Sequence, residues 1–183
     1  MVMPWTWSLA VEEQFYLVLP LVLIFVLKRA RVSPLTAMLY LLALSVVIRF
    51  FVLYTDPVLW ESSYRDMVIS KDVVSIFYSK MYYSLLTRYG PFICGVLAAY
   101  GYYFQRTSIQ AWLQASKARP VVLDVLALAT IVFLLFFPVL DRRFEASSSG
   151  LIFYIVFHRV LFALACSWLV LGVILGTTTF KKL

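Results

Sequence analysis

Residues 120–140 read PVVLDVLALATIVFLLFFPVL, with Asp124 as the lone charge between two prolines. A helix crosses a bilayer core in about 20 such residues, at 1.5 Å of rise each. In water the same stretch would need burial on every side, and a chain of 183 residues has too little interior to hide several of them. Four further apolar runs follow the same pattern, at 5–27, 35–54, 89–105 and 151–176. The run 89–105 is short, and Tyr100, Tyr102 and Tyr103 suit an interfacial position at its end. Hydrophobic residues make up 63% of the chain and charged residues 14%, whereas soluble domains have roughly 45–50% and 25%. A soluble globular enzyme, a disordered chain and a disulfide-rich secreted module are excluded. The sequence predicts an all-α, polytopic transmembrane bundle of about five spans in a single domain, multi-pass in the cell membrane.

The charges sort between these runs. Residues 28–31 (Lys28, Arg29, Arg31), 106–119 (Arg106, Lys117, Arg119) and the tail (Lys181, Lys182) are basic without an acid among them. Residues 55–88 and 141–150 balance Arg65, Lys71, Lys80, Arg88, Arg142 and Arg143 against Asp56, Glu61, Asp66, Asp72, Asp141 and Glu145. Five spans put the two groups on opposite sides, and the positive-inside rule then places the N-terminus outside and the C-terminus inside. The net charge of +7 therefore reads as cytoplasmic loops rather than a nucleic-acid surface. Cys94 and Cys166 lie inside apolar runs, with no disulfide or metal spacing. The first run carries Glu12 and Glu13 and has no basic leader, unlike a signal peptide.

Segment 55–88 is too long for a turn. Its stretch from Met67 to Leu86 suits either an amphipathic helix on the outer surface or an ordered loop packed over the bundle. Ser147 to Gly150 read as a turn. Gly95, Ala98, Ala99 and Gly101 predict a close helix approach along the third span. Charge at the bilayer centre costs at least about 2.5–3.5 kcal/mol, so Glu12, Glu13, Arg49, Asp124 and the His158-Arg159 pair must face protein, water or an interface. Arg49 and Asp124, near span ends, are expected to snorkel or form a structural ion pair. His158 suits an interhelical hydrogen bond or, alternatively, a proton carrier.

The first run has more to say. On a helix from Trp5, the residues Ser8, Glu12, Phe15, Tyr16 and Leu19 share one face, with Trp5 and Trp7 as interfacial anchors. Glu13 points about 100° away. Pro20 removes the hydrogen bond to the Tyr16 carbonyl. This resembles the wall of a polar cavity in which Glu12 could hold or pass a proton. An inter-span salt bridge to Arg88 or Arg49 fits the spacing equally.

The segment Trp7-Ser8-Leu9-Ala10-Val11-Glu12-Glu13-Gln14-Phe15-Tyr16, followed by Leu17 and Pro20, resembles the signature of the integral-membrane acyltransferase family three. Thr87-Arg88, then Phe92, Gly95 and Ala98, is similar to the family's Arg-led entry into a Gly-Ala-rich span. The resemblance implies O-acylation of a cell-surface glycan or similar acceptor. The acyl group, usually acetyl, comes from an acyl-CoA donor such as acetyl-CoA, and no bound cofactor or metal is expected. It casts Glu12 and Arg88 as catalytic, Glu13 as secondary, and Trp7, Ser8 and Tyr16 as substrate-binding. The family's spaced Arg and His, its glycine-rich segment and its paired-arginine motif have no counterpart here, and members carry about ten spans. Residues 1–183 are thus expected to be one partial acyltransferase domain, truncated at both ends, whose partners are the bilayer, the donor, the acceptor and the remaining spans. Alone it is expected to be inactive. The competing readings are a transporter fragment, with Glu12, Arg49 and His158 along an ion path, and an inactive structural remnant.

Overall fold

The computed structural model describes residues 6–30, 32–62, 70–143 and 148–177, and among these the regular structure is helical, without a strand. The described residues form eight α-helices, in order: α1 (Thr6–Ala30), α2 (Pro34–Thr55), α3 (Pro57–Glu61), α4 (Lys71–Phe77), α5 (Leu85–Phe104), α6 (Arg106–Gln114), α7 (Ala118–Arg143) and α8 (Ser148–Leu175). A π-helical turn, Tyr78–Tyr82, joins α4 to the approach of α5. Among the described residues three helical segments are long and apolar enough to cross a membrane: Pro34–Thr55, Ala118–Phe136 and Ile152–Leu175. Their outer faces are apolar as well, with Phe51, Val125, Leu135 and Val173 among the exposed side chains. Long apolar helices with apolar outer faces mark a membrane-embedded bundle.

The helix ends follow from local chemistry. Ser33 caps α2, its hydroxyl accepting from the Thr36 amide at 3.2 Å, and Pro34 takes the first helical position. Pro57 pushes Asp56 into extended backbone and stops α2. The Asp56 carboxylate then caps α3, accepting from Val58 N at 3.0 Å and Leu59 N at 3.3 Å. At the other end of the bundle, α8 closes on Gly176 in the left-handed region, φ 68°. The Gly176 amide donates to Val173 O and the Thr177 amide to Gly172 O, the paired bonds of a Schellman cap. Gln110 of α6 donates to Leu175 O at 3.1 Å and satisfies one more terminal carbonyl.

Helix α5 is central, packing against α1, α2 and α8, and α7 lies on the far side of α8. One apolar core lies beneath the π-helical turn, where Leu53, Leu59, Met81, Ile155 and Val156 are buried, with Val73, Ile76 and Phe77 packed around them. Segment 70–82 is therefore an ordered cover over α2 and α8. A second core joins Phe15, Met38 and Ile93 of α1, α2 and α5.

Several expectations are corrected. Ser148 to Gly150 form the first turn of α8 rather than a loop, while Ser147 lies outside the described residues. The small-residue approach of α5 is at Gly90 and Gly101, not Gly95. A Cβ on Gly90 would stand 2.6 Å from Ser45 Oγ, and one on Gly101 would stand 3.2 Å from Ile109 Cδ1. Gly95 has nothing within 4 Å of that position. Composition gives the small residues, but only the rotation of the helix says which of them face a neighbour.

Candidate functional site

The most unusual chemistry lies where α2, α5 and α8 meet below the π-helical turn. Pro91 sits inside α5 and has no amide hydrogen for the carbonyl four residues earlier, that of Thr87. Thr87 is 1% exposed, so water cannot serve instead. Arg49, from α2, supplies the missing donor: its Nη1 donates to Thr87 O at 2.9 Å. Its Nε donates to Ile155 O of α8 at 3.0 Å, and its Nη2 donates to the same oxygen. The Thr87 hydroxyl in turn donates to Met81 O at 2.9 Å, which ties the π-helical turn to the same junction. Arg49, 3% exposed, therefore does not snorkel and among the described residues forms no ion pair; its charge is held by backbone dipoles. An arginine in an apolar run and a proline within another are both visible in a sequence. Their pairing is not.

Two more cations stand beside this junction. The Arg88 guanidinium of α5 lies over the Tyr82 ring, 4.4 Å from its centroid. Arg159 of α8 reaches the same ring at 5.0 Å. Arg159 is close enough to repel both Arg88 and Arg49. His158 feels the positive charges of Arg159 and Arg49. Its ring packs against Tyr154 at 4.4 Å and Phe162 at 6.1 Å in its own helix, so among the described residues it makes no interhelical hydrogen bond. Arg88 Nη1 is buried and has no hydrogen-bond partner among the described residues. In the sequence Arg159 stands out only as the neighbour of His158, with nothing to show that it meets Arg88 over Tyr82.

The sequence-predicted residues of α1 fall out differently from the expected polar wall. Val11 and Phe15 turn into the bundle at 2% and 4% exposure, Glu12 is half-buried at their flank, and Tyr16 is 67% exposed. Tyr16 thus leaves the inward face on which it was expected beside Glu12, because Val11 and Phe15, the apolar pair at i and i+4, take the buried stripe. Trp7 and Ser8 belong to the first turn of α1, and their side chains lie outside the described residues. Among the described residues no ion pair joins Glu12 to Arg49 or Arg88; Lys80 pairs with Asp56 instead, at 2.5 Å. The cavity beside Phe15, about 190 Å³, is walled by Leu19, Val22, Leu41, Ile48, Tyr89 and Ile93 among others and is apolar. Glu12 and Arg88 do not line it. The other awkward acid, Asp124, is 1% exposed and accepts from Trp168 Nε1 at 3.2 Å, an α7–α8 hydrogen bond in place of snorkelling.

What the structure does bring together is the two segments that carry the family resemblance. The Phe15 ring packs against the Phe92 ring, with centroids 4.7 Å apart. Glu12 lies three residues before Phe15, and Arg88 four before Phe92. No protein-family model matches the chain, and neither a curated protein nor a solved structure matches it.

Proposed function

We propose that this chain is part of an integral-membrane O-acyltransferase, transferring an acyl group, acetyl by preference, from acyl-CoA to a sugar hydroxyl of a cell-surface glycan. The observation that carries this reading is the Phe15–Phe92 contact, which puts the WSLAVEEQFY helix against the Arg88 helix. In the proposed reaction the acceptor oxygen attacks the thioester carbonyl, the C–O bond forms, and the C–S bond breaks to release the CoA thiolate. The hydroxyl proton passes to a base contributed by spans outside residues 1–183. Glu12, half-buried on the flank of α1, orients or relays that proton. Arg88 offers N–H donors to the donor or to the developing oxyanion. Trp7, Ser8 and Tyr16 contact substrate, with Tyr16 facing the spans that complete the bundle.

The reading includes five spans, α1, α2, α5, α7 and α8, with the N-terminus outside. In a chain with Cys94 and Cys166 replaced by Ala, Ser75→Cys should react with an impermeant thiol reagent from outside, and Ser116→Cys should not. The reverse pattern overturns the orientation. For the chemistry, Glu12→Gln and Arg88→Ala are introduced into the full-length enzyme and glycan acylation is measured. Loss of turnover with normal membrane yield is expected, and wild-type turnover in both removes the assigned roles. Residues 1–183 alone, given acetyl-CoA and glycan acceptors, should show only background thioester hydrolysis, because one half-bundle cannot position both substrates.

A further inference from the structure

We infer that Arg88 and Arg159 form a binding site for a phosphate dianion, with the Tyr82 ring as its floor. This site stands on geometry alone and does not depend on acyl transfer. Two guanidinium groups from different helices converge on one ring, at 4.4 and 5.0 Å. Among the described residues neither has a carboxylate partner, and the acid in the ion pair nearby, Asp56, is engaged by Lys80. Arg49 adds a third positive charge, but each of its three nitrogens already donates to a backbone carbonyl.

Like charges held together in a low-dielectric setting repel strongly, and the negative face of one aromatic ring offsets only part of that. The buried Arg88 Nη1 is a donor with no acceptor. A native structure rarely leaves such a group empty-handed. The missing acceptor must bring several oxygens and more than one negative charge. A carboxylate cancels one cation of the pair. A phosphate monoester, or inorganic phosphate, carries about −1.5 to −2 and three strong acceptor oxygens. The planar guanidinium fork matches those oxygens in pairs. The chemistry is shared by a lipid headgroup, as in phosphatidic acid, and by free phosphate.

The test uses the whole chain in a maltoside detergent and a phosphate-free buffer. Melting is followed against phosphatidic acid, inorganic phosphate and, as the uncharged control, diacylglycerol. Phosphatidic acid should raise the melting temperature and diacylglycerol should not. Equal protection by inorganic phosphate at saturation identifies a site for the free anion, and protection by the lipid alone identifies a headgroup site. Arg88→Gln and Arg159→Gln should each weaken binding about tenfold or more, the usual consequence of losing a hydrogen bond between charged groups. If either variant does not fold, Arg159→Lys keeps the charge, loses the fork, and should still bind measurably more weakly. The inference is overturned if neither phosphate probe protects, if diacylglycerol protects as well as phosphatidic acid, or if the folded variants bind like the wild type.

Discussion

Replacing Arg49 with methionine tests the central junction, because an apolar stem is kept while the guanidinium and its donors are removed. The guanidinium gives one hydrogen bond to Thr87 O and two to Ile155 O. Ile155 O keeps its own helical amide partner in α8, that of Arg159. Thr87 O does not, since residue 91 is proline. A buried acceptor left unpaired costs about 1–3 kcal/mol, and the lost charge-assisted bonds add to this. Opposing it, a desolvated charge disappears, and with it the repulsion from Arg159. We expect a net loss of about 2 kcal/mol for Arg49→Met. The reasoning makes a sharper demand of the double variant. Pro91→Ala gives α5 back the amide that Thr87 O lacks, so in that background Arg49→Met should cost about 1–2 kcal/mol less. Reversible unfolding in mixed micelles, followed by circular dichroism, measures all four corners of the cycle. An Arg49→Met cost that is the same with and without Pro91→Ala would refute the pairing of proline and arginine.

Gly90→Ala should cost about 1–3 kcal/mol, because its Cβ would fall 2.6 Å from Ser45 Oγ, while Gly95→Ala, with open space, should be neutral or gain up to about 1 kcal/mol in the same unfolding assay. Burial pushes the Asp56 carboxyl up, but the Lys80 ammonium and the Leu59 and Val58 amides outweigh it and hold the group below the ordinary carboxylate range. Its stabilising share is therefore present above the unfolded value of about 3.9 and is lost as pH falls through the lower folded one. Melting temperature should drop below about pH 4 in the wild type and change less in Asp56→Asn.

The long elements were legible because hydropathy is local: the runs 35–54 and 120–140 lie within α2 and α7. Ser33-Pro34 and Asp56-Pro57 announced their boundaries for the same reason, since capping and the restriction before proline act over a few residues. What the sequence did not yield is long-range. Gly95 and Gly90 are equivalent in composition, and only the rotation of α5 against α2 separates them. Arg49 read as a charge near a span end, yet its partners lie 38 and 106 positions away. Tyr16 seemed to share Glu12's environment by helical spacing. The buried stripe is narrower than the stripe that spacing permits, and Val11 with Phe15 takes it.

The Arg49 junction also sets a schedule for biosynthesis. When α2 leaves the ribosome, the α8 carbonyl that will hold its guanidinium has not been made. Ile155 is 106 residues downstream, a delay of roughly 5–20 s at ordinary elongation rates. Through that interval α2 alone in lipid carries a charge whose permanent partners are missing, so Arg49 must reach for the interface and α2 sit shifted toward it until α5 and then α8 arrive. In a nascent chain arrested before α8, a cysteine placed at Ser45 should accordingly stay open to a water-soluble thiol reagent. Release after α8 should fix α2 in the bilayer, making the last helix the step that commits the second.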